Sequence, residues 1–118
     1  MLVYYDQTGD PTAYTINGVD IYLFSGQPVA YIEQDMVYAF SGKQLGWSWD
    51  GWIRDLNGYC VFFTPFATGG AYKPFMKFVP YASYRQHLPY KSYRQSSRSR
   101  PSKKNAWSNL SGVAFFKQ

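Results

Sequence analysis

The chain has 118 residues, of which 21% are aromatic and 16% charged, and its formal net charge is +5. No uninterrupted apolar stretch approaches the roughly 18 residues of a membrane-spanning helix, and the N-terminus lacks the basic and apolar regions of a signal peptide. Because a single cysteine excludes an internal disulfide, we expect one small domain with an appendage, in the reducing cytoplasm and without a membrane partner.

The charge divides the chain into two parts. Residues 1–70 hold all seven acidic residues and only two bases, which gives −5, whereas residues 71–118 hold ten bases and no acid, which gives +10. Such asymmetry is typical of an interaction tail. We therefore expect a domain over residues 1–70 and a basic, aromatic tail over residues 71–118.

Four glycines mark a repeat in the first part. Gly9, Gly26, Gly42 and Gly58 lie 17, 16 and 16 residues apart, each preceded by an apolar run and followed by a string such as Gly26-Gln-Pro-Val-Ala-Tyr31. Strand-forming runs on both sides of a turn glycine predict a β-hairpin. One hairpin cannot bury its apolar face alone, so we expect an all-β fold of four tandem hairpins in a pseudo-fourfold arrangement, followed by a basic extended tail.

The repeated pattern [Val/Ile]-Tyr-x-Phe-Ser-Gly-x-Pro-Val-Ala-Tyr, over about residues 3–66, resembles the bacterial 4-fold β-flower domain. The basic, proline-punctuated tail is also similar to the tail of that family. The fourth copy departs from the pattern, because Arg54 and Asp55 stand at aromatic positions. The resemblance implies a fold, and it brings no catalytic residues with it.

The tail has a shorter period of its own. Three nine-residue units begin at Tyr72, Tyr81 and Tyr90, and each has an aromatic residue at its fourth place with a base close behind. Prolines at these intervals predict extended segments with bends rather than a long helix. The final apolar segment, residues 107–116, is expected to dock onto the β core or onto a second chain.

Candidate catalytic chemistry is sparse. His87 is the single histidine and Cys60 the single cysteine, and Cys60 lies in an apolar strand, where a buried inert thiol is expected. A metal site needs several convergent ligands. We therefore predict no catalytic residues, no metal site and no cofactor.

The basic tail is the stronger candidate, because bases can neutralise phosphates while tyrosines stack on nucleobases. The alternative is a tail that wraps the acidic repeat domain. The candidate residues for contact with DNA or RNA are Lys73, Lys77, Arg85, Lys91, Arg94, Arg98, Arg100, Lys103, Lys104, Tyr84 and Tyr93.

A second hypothesis is a protein–protein adaptor, because aromatic residues and arginine are enriched at interface cores. The candidates are Trp47, Trp49, Trp52, Trp107, Phe115 and Phe116, and alternation places Trp47 and Trp49 on one strand face. The same residues could instead fill the core.

Together these patterns predict a non-enzymatic accessory protein, dimeric, whose tail contacts nucleic acid or a nucleic-acid-bound effector, such as a phage-defence or CRISPR-type nuclease complex. Two alternatives stay open. One is a pure protein-interaction or assembly module whose tail completes the fold, and the other is a small-ligand or carbohydrate binder.

Overall fold

The computed structural model describes residues 1–118 and contains a closed barrel of eight antiparallel strands, each paired with its neighbours in chain order. The strands are β1 (Leu2–Tyr5), β2 (Pro11–Thr15), β3 (Asp20–Leu23), β4 (Pro28–Glu33), β5 (Met36–Tyr38), β6 (Gln44–Trp49), β7 (Trp52–Asp55) and β8 (Cys60–Phe63). The barrel closes where Tyr5 of β1 pairs with Phe63 of β8. The predicted all-β fold with four tandem hairpins is confirmed.

Each hairpin is built around one of the four repeat glycines. These glycines have φ between 85° and 94°, a conformation that glycine adopts without strain. In every hairpin the register then shifts by one residue just after the turn, as where Tyr4 pairs with Ala13 but Tyr5 pairs with Pro11. The four β-bulges leave one residue of each second strand unpaired, and these residues are Thr12, Val29, Leu45 and Val61.

The links between hairpins explain the uneven spacing of the glycines. Gln34 and Asp35 join β4 to β5 with φ of 50° and 66°, and Asp50 and Gly51 join β6 to β7 in the same way. Positive φ at both central residues is the type I′ turn of a two-residue hairpin. The link between β2 and β3 is longer, because four residues separate these strands, and its backbone is held by the Asn17 side chain, which accepts from the Val19 amide at 2.9 Å.

Side chains from all eight strands meet in one buried cluster, which fills the interior of the closed barrel. The repeat supplies small residues to this interior at Ala13, Ala30 and Gly46, whereas the fourth copy supplies Phe62.

The space left by the small residues is filled from the C-terminus. A 3₁₀ helix (Gly112–Lys117) brings Phe115 and Phe116 against Phe62, with ring centroids 5.8 Å and 5.4 Å away. The C-terminal apolar segment therefore docks onto the core of its own chain. No helix in this structure has the length and apolar character needed to cross a membrane.

Candidate binding surface

The outer face of the barrel carries aromatic side chains at the joints between hairpins. Tyr14 stacks on Tyr22 at 5.8 Å between the first and second hairpins, and Tyr31 stacks on Tyr38 at 5.7 Å between the second and third. The alternation of strand side chains places these rings opposite the barrel interior. We call this surface the aromatic collar, and its members are Tyr5, Tyr14, Tyr22, Tyr31, Tyr38, Trp47, Trp49, Trp52 and Phe63.

The collar is covered by the tail, which crosses the four glycine turns one after another. At each crossing a backbone amide of the tail donates to the carbonyl of a repeat glycine. The pairs are Lys77 to Gly9 at 3.0 Å, Gln86 to Gly26 at 2.9 Å, Gln95 to Gly42 at 2.9 Å and Lys104 to Gly58 at 3.1 Å. Consecutive donors are nine residues apart, so one tail unit spans one hairpin of the barrel.

This register reveals a fourth tail unit, residues 99–107, that the sequence pattern missed. Ser99 and Ser102 stand where the other units have aromatic residues, which hides the repeat. A signal was nevertheless present, because Pro101 matches Pro74 at the third place of the first unit. Both prolines replace residues whose amides donate to the barrel in the middle units, as Ser83 does to the Phe24 carbonyl at 2.8 Å.

Four tail bases form ion pairs with carboxylates of the barrel. Their side chains remain about half exposed, so solvent screens the charges and each pair contributes little to stability. The pairs are Lys77 with Asp10 at 3.0 Å, Arg94 with Glu33 at 3.6 Å, Arg100 with Asp35 at 3.1 Å and Lys103 with Asp50 at 2.5 Å. The hydrogen bond from Lys77 is the main cause that lowers the pKa of Asp10, and that from Lys103 lowers the pKa of Asp50.

Tail bases also lie over the rings of the collar. Lys91 Nζ is 4.4 Å from the centre of the Tyr31 ring, and the Arg100 guanidinium is 4.7 Å from that of Trp49. Arg85 and Arg94 take similar places over Tyr22 at 5.9 Å and Tyr38 at 5.8 Å. Cation–π contacts of this kind help to hold the tail on the barrel.

Three other predicted contact residues lie on the same path. Lys73 Nζ donates to the Ala67 carbonyl at 2.6 Å, and Lys104 Nζ donates to the Asn57 carbonyl at 2.7 Å. The Arg98 backbone amide donates to Gln44 Oε1 at 3.0 Å. The tail that the sequence suggested for nucleic acid is therefore also bound along its length to its own barrel.

The aromatic residues of the tail point away from the barrel. Tyr84 and Tyr93, both named from the sequence, are 93% and 98% exposed. Large apolar side chains are seldom so exposed unless they serve as an interaction site, so these rings are the candidate binding surface. We call this surface the aromatic row, and its members are Tyr72, Phe75, Phe78, Tyr81, Tyr84, Tyr90 and Tyr93.

The residues suggested from the sequence for a protein interface lie elsewhere. Trp47 and Trp49 share one strand face and stack at 5.5 Å, but they are buried beneath the tail. Trp52 belongs to the collar, and Trp107 packs edge-on against it at 5.6 Å. Phe115 and Phe116 are core residues, so in this structure none of the six forms an exposed aromatic surface.

The remaining candidate groups show no constellation for chemistry. Cys60 is buried, and burial raises the pKa of its thiol, which disfavours the reactive thiolate. His87 is exposed in the second tail unit. The structure contains no group of three or more His, Cys, Asp or Glu side chains that could hold a metal ion.

The chain matches the model of a family described as 4-fold beta flower protein over residues 3–116. It belongs to that family. Comparison with curated proteins and with solved structures finds no match. Since the family match extends to Phe116, the β-flower unit includes the wrapped tail as well as the barrel.

Proposed function

We propose that this β-flower protein is a non-enzymatic binding module that presents its tail to single-stranded nucleic acid, free or within a nucleoprotein. The observation that carries the proposal is the aromatic row, whose seven rings are between 83% and 98% exposed. Lysine and arginine residues lie between these rings in the sequence, and residues 71–118 contain no acidic residue. Exposed rings next to bases are the combination that single-strand binding surfaces use.

The physical chemistry favours a single strand. Unpaired bases can stack on tyrosine or phenylalanine side chains, which contributes about 1–3 kcal/mol per base. Lysine and arginine neutralise the phosphates between the stacked bases. Because surface ion pairs are weak, a phosphate can compete with Asp10 for Lys77, or with Glu33 for Arg94.

The way the tail is held also supports binding. Its backbone is fixed at four hairpin turns, so the row is already extended before a ligand arrives. A flexible arm would lose conformational entropy on binding, and a preorganised surface avoids most of that cost.

The experiment is a fluorescence anisotropy titration of labelled oligothymidylate and oligouridylate at two salt concentrations. We expect binding that weakens steeply with salt, because phosphate contacts release counterions. A Tyr84→Ala/Tyr93→Ala double variant should lose most of the affinity. Phe66→Ala is the matched control, because Phe66 is 77% exposed but lies before the tail. Absence of binding by the intact protein at low salt would refute the proposal.

A second candidate function is a protein-interaction or assembly module, in which the aromatic row is the interface and the tail completes the fold. The observation in its favour is that most tail bases already contact the barrel. Self-association through the row would give the homodimer expected from the sequence. Light scattering coupled to size-exclusion chromatography tests this, because the Tyr84→Ala/Tyr93→Ala variant should then become monomeric. A wild-type monomer would count against the homodimer.

A further inference from the structure

The side chain at the fifth position is not the same in all four tail units. These residues are Met76, Arg85, Arg94 and Lys103. Arg94 pairs with Glu33, and Lys103 pairs with Asp50. Arg85 makes neither an ion pair nor a side-chain hydrogen bond, and its only polar contact is the cation–π approach to Tyr22. Of the two arginines at the fifth position, Arg85 is therefore the one without an anion.

The barrel sequence explains this difference. Glu33 ends β4, and the residue at the same place after β2 is Ile16, which is exposed and carries no charge. Asp20 also lies on the outer face of this joint, but its carboxylate accepts from Asn17 Nδ2 at 2.9 Å and forms no ion pair. The repeat thus offers a carboxylate to Arg94 and none to Arg85.

Arg85 also borders the largest cleft in the molecule. This open cleft of about 770 Å³ is lined by Tyr22 and by residues 81–88, which include two members of the aromatic row and His87. Beneath it, the ring of Tyr14 stacks on Tyr22. The Tyr14 hydroxyl is buried without a hydrogen-bond partner, and so is that of the equivalent Tyr31, so the two sites differ in the carboxylate and not in the tyrosine.

We propose that Arg85 is the principal phosphate-binding residue of the tail, and that its cleft takes a phosphate group flanked by a base stacked on Tyr81 or Tyr84. This inference rests on the proposed function for the source of the phosphate, a nucleic acid strand. A guanidinium presents a planar set of donors that matches phosphate geometry. In the neighbouring unit the same place is taken by the protein's own carboxylate.

The first experiment compares Arg85→Gln with Arg94→Gln in the oligothymidylate titration. Arg85→Gln should weaken binding about tenfold, because a hydrogen bond to a charged group is lost. It should also reduce the slope of log affinity against log salt by about 0.7, the value for one phosphate on a single strand. Arg94→Gln removes an equal charge from the next unit and should weaken binding much less. Equal effects of the two variants would overturn the proposal.

The second experiment supplies the missing carboxylate. Ile16→Glu places a carboxylate where Glu33 stands in the next repeat. This carboxylate should form an ion pair with Arg85 and weaken binding as Arg85→Gln does. Ile16→Gln is the control for the change of side-chain shape. Because Ile16 is exposed, we expect both variants to fold, and circular dichroism checks this. Unchanged binding by a folded Ile16→Glu variant would contradict the assignment.

A third measurement separates this site from the proposed function. Thymidine monophosphate and inorganic phosphate are titrated while the arginine Nε resonances are followed by NMR. A shift of the Arg85 resonance at a lower ligand concentration than that of Arg94 supports the phosphate site, even if the intact protein binds no strand. If the Arg85 resonance does not shift at lower ligand concentration than that of Arg94, the site is refuted. Strand binding, if observed, then depends on the aromatic row and the other lysine and arginine residues.

Discussion

The carbonyl oxygen of Tyr84 lies 2.0 Å from the point where a Cβ atom on Gly26 would stand. The same approach recurs at the other three crossings, where Phe75, Tyr93 and Ser102 face Gly9, Gly42 and Gly58 at 2.0–2.3 Å. The repeat glycine therefore has two roles, since it allows a positive φ in the turn and leaves room for the tail. The barrel and the tail are joined at the residue that defines the repeat.

The first prediction concerns that close approach. Gly26→Ala should destabilise the protein by about 2 kcal/mol or more, because alanine is strained at positive φ and its methyl group would meet a backbone oxygen. Chemical denaturation measures the free energy of unfolding. Gly18→Ala is the control, because Gly18 has φ of 78° but nothing within 4 Å of its Cβ position. Equal losses for the two variants would show that the tail contact contributes nothing.

The second prediction concerns the tail as a structural element. A chain that ends at Gly70 would expose the aromatic collar and lose Phe115 and Phe116 from the barrel interior. We expect it to bind the dye ANS strongly and to lose the near-ultraviolet circular dichroism of packed rings. A chain that ends at Ser111 keeps the collar covered but lacks Phe115 and Phe116, so it measures the effect of losing the two core rings alone. A soluble residue 1–70 fragment with a cooperative unfolding transition would disprove the prediction.

The third prediction concerns the C-terminal helix. Phe115→Ala should lower the free energy of unfolding by about 3–5 kcal/mol, because it leaves a cavity beside Phe62. Phe78→Ala removes the same side chain from a position that is 95% exposed, and its effect should stay within about 0.5 kcal/mol. Thermal and denaturant unfolding of both variants make the comparison. Similar stabilities would argue against burial of Phe115.

The fourth prediction concerns alkaline pH. Burial in the barrel raises the pKa of Tyr4 from 10.0 to about 12. The unfolded chain therefore loses this proton at lower pH than the folded protein does, so stability is retained below pH 10 and falls as the pH rises towards 12. The slope approaches about 1.4 kcal/mol per pH unit. Tyr4→Phe should remove this component of the pH dependence, and an unchanged profile would place its cause elsewhere.

The sequence by itself determined the hairpin repeat, because the features that create it are local. Positive φ at Gly9 and its equivalents, and β-forming residues on both sides, specify a strand–turn–strand unit without reference to the rest of the chain. The charge division at about residue 70 and the nine-residue period of the tail are equally direct. The family resemblance drawn from these residues was confirmed by the match over residues 3–116.

Only the tertiary structure decided which aromatic residues are covered. Tyr22 and Tyr84 have the same side chain and both lie in repeats, yet the first is buried in the collar and the second is exposed. The difference arises because the two repeats coincide in space. Nine residues of the tail, which runs along the outside of the barrel, reach from one hairpin turn to the next, whereas the barrel chain needs 16 or 17 residues because it runs up and down one hairpin. That match, and the missing carboxylate beside Arg85, depend on contacts between residues about 45–70 positions apart, such as Lys104 with Gly58 and Tyr22 with Arg85. Local propensity carries no information about contacts of that range.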